Sequence, residues 1–258
     1  LEPRVYYLYQ EYEDQDDLPL FDVSNLTFRY DQLWRDNRFS GVDRIGDANQ
    51  LSVGLTSRLL NAANGREYLR ASIGQIRYFE DRLVTRTGRQ SDLDLSRRSE
   101  FAGELASRFG RWSLGGDLIW DPTQDNVRLG GAFVNYRTSN RKIVHMGYRY
   151  QRDSIDQTDL AMIWPVGKRF ALIGRWNFDL NTERTIEGLA GIEYNDCCWK
   201  LRLVGRRYLD TPSARQFADA VSRTGIFFQV VFKGLGSLDD SVENLLSESI
   251  RGYVMEEI

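Results

Sequence analysis

"RWSLGGDLIWD", residues 111–121, decides the fold class. Trp112, Leu114, Gly116, Leu118 and Trp120 fall on one face, and Ser113, Gly115, Asp117 and Ile119 on the other. That is a period of two, a strand rather than a helix. Its two tryptophans stand eight residues apart, roughly 27 Å along a strand at about 3.3 Å per residue. A tilt of about 40° brings that to roughly 20 Å of height, close to the ~25 Å apolar band of a transmembrane barrel with aromatics at both interfaces.

The pattern recurs. Phe170, Leu172, Gly174, Trp176 and Phe178 alternate with Ala171, Ile173, Arg175, Asn177 and Asp179. Ile186, Gly188, Ala190, Ile192 and Tyr194 alternate with Glu187, Leu189, Gly191 and Glu193. Trp199, Leu201, Leu203 and Gly205 alternate with Lys200, Arg202, Val204 and Arg206. One face is apolar, and the other repeatedly carries mid-strand charges of both signs. Asp117, Arg175, Asn177, Glu187, Glu193, Lys200, Arg202 and Arg206 are therefore expected to face bulk water or a wet lumen.

Twelve such strands are expected, near 2–11, 49–60, 66–78, 99–109, 111–121, 126–137, 141–151, 157–165, 169–179, 184–194, 198–209 and 222–233. Most exceed the usual globular strand of about five or six residues and suit a tilted membrane strand. Every other connection is short: Asn61–Gly65, Phe109–Arg111, Thr138–Arg141, Val166–Lys168 and Asn195–Cys197. The alternate set contains 12–48, 79–98 and 210–221, far longer, together with three short members. Short turns on one side and long loops on the other is the pattern of an outer-membrane barrel, whose short turns are periplasmic. The last strand ends on the short-turn side. The expected fold class is thus all-β, an antiparallel transmembrane β-barrel over 1–235. Residues 236–258 are expected to be a periplasmic tail, either a short amphipathic segment with Val242, Leu245, Leu246 and Ile250 at helical spacing or a frayed end.

Composition agrees with a β-rich chain. The 258 residues include 12% aromatics, 22 glycines and only 5 prolines. Net charge is −3, without the basic excess that a nucleic-acid partner requires. No apolar run approaches the ~20 residues of a membrane-spanning helix. Residues 1–20 are polar and aromatic without the apolar core of a signal peptide, so a mature form or a fragment is expected.

Nothing in the sequence suggests catalysis. The single histidine, His145, shares its face with Ile143, Gly147 and Arg149 and reads as a polar wall residue. No ligand set for a metal or cofactor converges: metal sites need several His, Cys or acidic side chains. The "KGLGS" stretch, 233–237, lacks the Lys-Ser/Thr ending of a phosphate loop. The only cysteines, Cys197 and Cys198, are adjacent, and neighbouring cysteines rarely bond to each other because of ring strain.

Five stretches, in this order, resemble the C-terminal barrel region of the LptD family, the lipopolysaccharide-assembly proteins of Gram-negative outer membranes. They are "LEPRVYYLY" (1–9), "NRFSGVDRIGDANQLSVGLTSRL" (37–59), "SIGQIRYF" (72–79), "GIEYNDCCWKLRLVGRRYL" (191–209) and "FFQVVFKGLG" (227–236). The resemblance spans most of residues 1–235. It implies the C-terminal half of a twenty-six-strand barrel, with a β-jelly-roll domain and the first half of the barrel upstream. It implies a plug lipoprotein of the LptE type and a periplasmic bridge of the LptA type. Lipopolysaccharide would pass into the outer leaflet through a lateral gate between first and last strands, with no reaction catalysed. Strand 222–233 would be the gate's C-terminal side, with Thr224, Ile226, Phe228, Val230 and Phe232 facing outer-membrane lipid, although Phe227 and Val231 on the other parity blur this. Cys197 and Cys198 match a vicinal pair that, by the resemblance, forms long-range disulfides to cysteines in or near the jelly roll. Two rival readings stand beside this one: a self-contained twelve-strand pore or autotransporter-type translocator, and an outer-membrane hydrolase using His145.

Overall fold

The computed structural model describes residues 1–86, 95–210, 221–234, 236–237 and 241–255. The fold is all-β and antiparallel. The strands are β1 (Glu2–Gln10), β2 (Ala48–Leu60), β3 (Glu67–Tyr78), β4 (Phe101–Phe109), β5 (Trp112–Asp121) and β6 (Asn126–Ser139). They continue with β7 (Lys142–Gln151), β8 (Ile155–Val166), β9 (Phe170–Asp179), β10 (Arg184–Asn195), β11 (Trp199–Asp210) and β12 (Val221–Phe232), then a two-residue β13 (Gly236–Ser237). A 3-10 turn occupies Tyr30–Trp34 and one helix, α1, spans Ser241–Ser249. Each of the twelve long strands lies within two residues of its expected bounds, because period-two alternation and turn chemistry are both local signals. Two of the expected long connections fall partly outside the described residues, at 87–94 and 211–220.

Short turns rely on backbone that few side chains tolerate. Gly167, between β8 and β9, has φ +71°, a left-handed conformation that costs glycine little.

The chain divides into two compact units, residues 1–107 with 115–130 and residues 108–114 with 131–258. In the first, β1 pairs with β2 along its whole length, Val5 opposite Val53, and has no partner on its other edge among the described residues. β3 pairs with β2 and β4, with Gly54 opposite Gly74 and Ile73 opposite Gly103. The connection 11–47 folds back onto one face of these strands. Its Leu33, fully buried, packs with Ile76, Ala102 and Ile119, flanked by Phe28, Tyr30, Trp34, Tyr78 and Leu129. Glycine makes room for it. A Cβ on Gly54 would stand 2.7 Å from the Trp34 ring, and one on Gly74 would stand 2.6 Å from Leu33.

In the second unit β7 to β12 pair in chain order, with Ile143 opposite Ile163, Ile163 opposite Ile173, and Glu193 opposite Arg202. After β12 the chain turns at Gly234 and β13 pairs with Val231 and Phe232. The helical spacing read at Val242, Leu245, Leu246 and Ile250 becomes α1 and the turn after it. That apolar side packs on Ile143, Ala161, Ile163, Ala171, Ile173, Leu189 and Val204. The other face of the strands is bare: Met162, Trp164, Leu172, Trp176, Leu203 and Phe228 are all exposed. Burial is therefore inverted relative to a water-soluble sandwich, with charged side chains covered and large apolar ones open.

Aromatic rings are concentrated along that bare face at the short-turn ends of the strands. Trp112, Tyr136 and Trp164 form one row with ring centroids 4.8 and 6.3 Å apart. Phe170, Tyr194 and Trp199 form another at 5.0 and 4.9 Å. Amphipathic rings collected at one height are what a membrane–water interface selects.

Candidate functional site

The covered face of the second unit is a charged wall. Arg175 donates to both carboxylate oxygens of Asp159, at 3.0 and 2.9 Å, and to Glu187 at 2.5 Å. The other Glu187 oxygen accepts from Arg206 at 2.6 Å. Closer to the short turns, Glu193 pairs with Arg141 and with Arg202, each at 2.9 Å. Arg202 is only 1% exposed and also donates to Gln229 at 3.1 Å, to Tyr253 Oη at 2.7 Å and to the Glu243 carboxylate. Tyr253 in turn donates to Glu243 at 2.7 Å. Lys200 and Asn177 are buried on the same face.

Of the eight residues expected to face a lumen, seven lie on this wall. Arg175, Glu187 and Arg206 form one cluster, and Glu193 and Arg202 another. Asp117 lies in the first unit, where Arg29 of the 11–47 connection donates to it at 3.0 Å. The arginines of the two clusters are each paired with a carboxylate, which offsets part of the cost of taking these charges from water.

Strand β12 follows the expected parity. Thr224, Ile226, Phe228 and Phe232 are exposed, Ile226 at 78%, and Val230 is half-buried. Phe227 and Val231 lie on the opposite parity: Phe227 packs against the cluster that contains α1, and Val231 is buried. The blurred alternation at Phe227 thus has a cause: β12 exposes apolar side chains on one side and carries the helix-backed cluster on the other.

The cysteine corner lies in the turn between β10 and β11. Cys197 and Cys198 are exposed and neither is in a disulfide. The backbone beneath them is clamped. The Cys197 N–H donates to Asp196 at 2.9 Å, Tyr194 Oη donates to Asp196 at 3.1 Å, and Arg169 lies 3.8 Å from it. Lys233, just past β12, donates to Asn195 and to the Asp196 carbonyl. The Cys197 N–H, with Tyr194 and the nearby cations, holds the Asp196 carboxyl below its ordinary range. The adjacent Cys197 thiol, by hydrogen bonding and charge, pushes the Cys198 thiol up. The arrangement presents two thiols to solvent on a fixed platform.

His145 is buried, with its Nδ1 hydrogen-bonded to Asn135. Among the described residues no group of His, Cys, Asp and Glu side chains is arranged to hold a metal.

Comparison with known proteins settles the family. The family model described as LptD, LPS transport system D, matches residues 1–176. The chain belongs to the LptD family. An LPS-assembly protein LptD of Nitrosococcus oceani is 41% identical over 254 residues, covering 98% of this chain and 33% of that protein. One from Pseudomonas aeruginosa is 40% identical over 293 positions, covering 100% of this chain and 32% of that protein. The chain thus spans about a third of the length of the curated LptD relatives it matches. Among solved structures, outer membrane phospholipase A from Escherichia coli gives a TM-score of 0.27 at 15% identity, over 70% of this chain and 80% of that one. A likeness of that size carries no argument about this chain.

For an LptD-family chain the unforeseen features are the covers, meaning the connection 11–47 on β1–β4 and α1 on β7–β12. So are four of the wall's members, Arg141, Asp159, Glu243 and Tyr253. One signal was available: Ile173, Leu189 and Val204 sit among charges on the polar parity, and buried aliphatics there need something to cover them.

Proposed function

We propose that this chain is the C-terminal part of an outer-membrane barrel that moves lipopolysaccharide into the outer leaflet, and that it catalyses no reaction. The observation that carries the reading is the inverted burial, a bare apolar face with an aromatic row opposite a covered, charged wall. An amphiphile with acyl chains and a charged saccharide needs both a polar passage and a sideways exit into lipid. The wall of Arg175, Asn177, Glu187, Glu193, Lys200, Arg202 and Arg206 lines the passage in the second unit, and Asp117 belongs to the polar face of the first. β12 is one side of the exit, with Thr224, Ile226, Phe228, Val230 and Phe232 toward lipid. A strand exposing one edge is free to exchange partners.

In this reading 1–235 is barrel, and 236–258 and the short turns are periplasmic. That side holds the cysteine corner, where Cys197 and Cys198 bond to cysteines upstream of this chain in an oxidising compartment. An LptE-type lipoprotein fills the lumen and an LptA-type bridge delivers lipopolysaccharide to the upstream domain.

The test uses the full-length protein in cells depleted of the native copy. Changing both Cys197 and Cys198 to Ser is expected to abolish the slow-to-fast shift of a non-reducing gel and to remove surface lipopolysaccharide. Either single change is expected to leave one bridge and retain growth. An unchanged gel pattern in the double variant, or full surface lipopolysaccharide without any bridge, overturns the reading.

A further inference from the structure

The turn that carries Cys197 and Cys198 is held from three sides. The Asn195 N–H donates to the Arg169 carbonyl of the β8–β9 turn at 2.8 Å, and the Asp196 N–H donates to the Trp199 carbonyl at 3.0 Å. The third side is the end of β12. There the Lys233 N–H donates to the Cys198 carbonyl at 2.9 Å, and the Lys233 ammonium group reaches the Asn195 side-chain oxygen and the Asp196 carbonyl. One side chain thus bonds both residues that precede the thiols, from 38 and 37 positions further along the chain. Among the described groups at this corner, Arg169 and Lys233 are two cations beside one carboxylate, Asp196. Both cations act on sulfur by charge, Arg169 on Cys197 and Lys233 on Cys198. Cys197 pushes the Cys198 thiol up, desolvation and Asp196 add to this, and Lys233 opposes them.

A cation that ties down the backbone beneath two thiols also stands where negative sulfur develops. We propose that Lys233 is the positioning residue of the cysteine corner, holding the turn in one orientation and keeping a positive charge beside the thiols as they exchange with an incoming disulfide. This rests on the reading above in which Cys197 and Cys198 bond to cysteines upstream of this chain. In that exchange a thiolate at either position attacks one sulfur of the incoming disulfide. A new S–S bond forms as the old one breaks, and the displaced sulfur leaves as a thiolate that takes up the proton the attacking thiol gave up. Negative charge is shared among the three sulfurs midway, so a fixed cation beside them favours the step. Lys233 is exposed, so its effect is a surface one that salt screens.

The experiment reduces the folded full-length protein in detergent, removes the reductant and adds one of two methanethiosulfonates, carrying either a sulfonate or a trimethylammonium group. Peptide mass spectrometry follows the modification of Cys197 and Cys198, and heat-modifiable gel mobility reports folding. At low salt the ratio of anionic to cationic rate is expected to exceed that of the free peptide 195–199. It is expected to fall toward the peptide's value at 1 M salt, where the Debye length is about 3 Å. Lys233→Gln is expected to lower the low-salt ratio about fivefold, the scale of one charge felt in opposite senses by two reagents in water. Lys233→Arg, which keeps the charge and the donors, is expected to hold it. In cells, Lys233→Gln is expected to slow the slow-to-fast gel shift about threefold, the scale of one surface charge acting on one step, and Lys233→Arg to restore it. A low-salt ratio that Lys233→Gln leaves unchanged, or Lys233→Arg behaving as Lys233→Gln does, overturns the proposal. Should Lys233→Gln fail to fold, the salt response of the wild-type ratio decides, and its absence overturns the proposal. Failure of the disulfide reading shows separately, as an unchanged gel pattern in the double serine variant, and leaves the reagent ratios to stand by themselves.

Discussion

Each unit of the molecule has one face covered by a piece of its own chain, and the two covers are held by opposite means. The connection 11–47 is held by shape. Leu33 is wholly buried among Ile76, Ala102 and Ile119, Trp34 sits over Gly54, and the Arg4 guanidinium lies 4.2 Å from the Trp34 ring. The segment 241–255 is held by an ionic centre inside an apolar rim, with Arg202 bound to Glu193, Glu243, Gln229 and Tyr253. Shape-held packing loses stability in proportion to the atoms removed. A buried ionic centre loses it abruptly, because removing one member strands the others without water. The second cover is therefore the more fragile to a single change.

The sharpest break of that comparison is Arg202→Met. Methionine replaces the aliphatic stem while Glu193 and Glu243 lose their shared cation. Unfolding free energy of the full-length protein is expected to fall by about 3–5 kcal/mol, read from the midpoint of heat-modifiable mobility. Replacing Arg202 and Glu243 together with Met and Leu, which leaves Glu193 its pair with Arg141, is expected to recover most of the loss. A double variant no better than Arg202→Met would show that the charges are not what holds the centre.

How much of this was legible in the residues depends on distance along the chain. Strand bounds, the short and long connections and the two parities followed from neighbours and next-neighbours, and they stand within two residues. The parity of Arg175, Glu187 and Arg206 was equally readable. Their common cluster was not, since it depends on the register of β9, β10 and β11, which alternation alone leaves open. Asp117 read as a bare wall residue, yet Arg29, 88 residues earlier, donates to it. The covers are the same kind of information: Leu33 and Gly54, or Glu243 and Arg202, meet only after the sheet has formed. Phe227 was part of an unexplained blur in the alternation and is now the trace of α1 on the sequence of β12.

The shape-held cover answers to a smaller change. Gly54→Ala places a methyl group 2.7 Å from the Trp34 ring and 3.0 Å from Tyr30 Oη, which forces the 3-10 turn off its seat. The expected cost is about 1–3 kcal/mol, the usual range for overpacking. Trp34→Ala alone loses buried area and the contact with Arg4. In the double variant the added methyl group enters the space the ring has left, so the two costs are expected to sum to less than their separate values. Chemical unfolding of the four proteins checks it. Simple additivity would mean that the glycine is there for the backbone and not for the ring.

The smallest effect sharpens the contrast from the other side, because the shape-held cover is pinned at its end by one carboxylate. Asp47, the last residue before β2, accepts from Arg38 at 2.7 Å and from the Leu83 and Val84 N–H groups at 2.7 and 2.9 Å. Burial pushes its carboxyl up, but the Arg38 bond, the two backbone donors and the Arg38 charge outweigh this and hold it below the ordinary range. A carboxyl lowered in the folded state binds its proton more readily when unfolded. Its contribution is therefore complete above the unfolded value of about 4 and is lost as pH falls through the folded value. Residues 81–86 are expected to resist an acid-active protease at pH 5 and to become cleavable near pH 3. Asp47→Asn is expected to remove the pH step at a cost of about 1 kcal/mol. A step that persists in Asp47→Asn would assign it to another acid and would mean that this carboxylate does not pin the end of the shape-held cover.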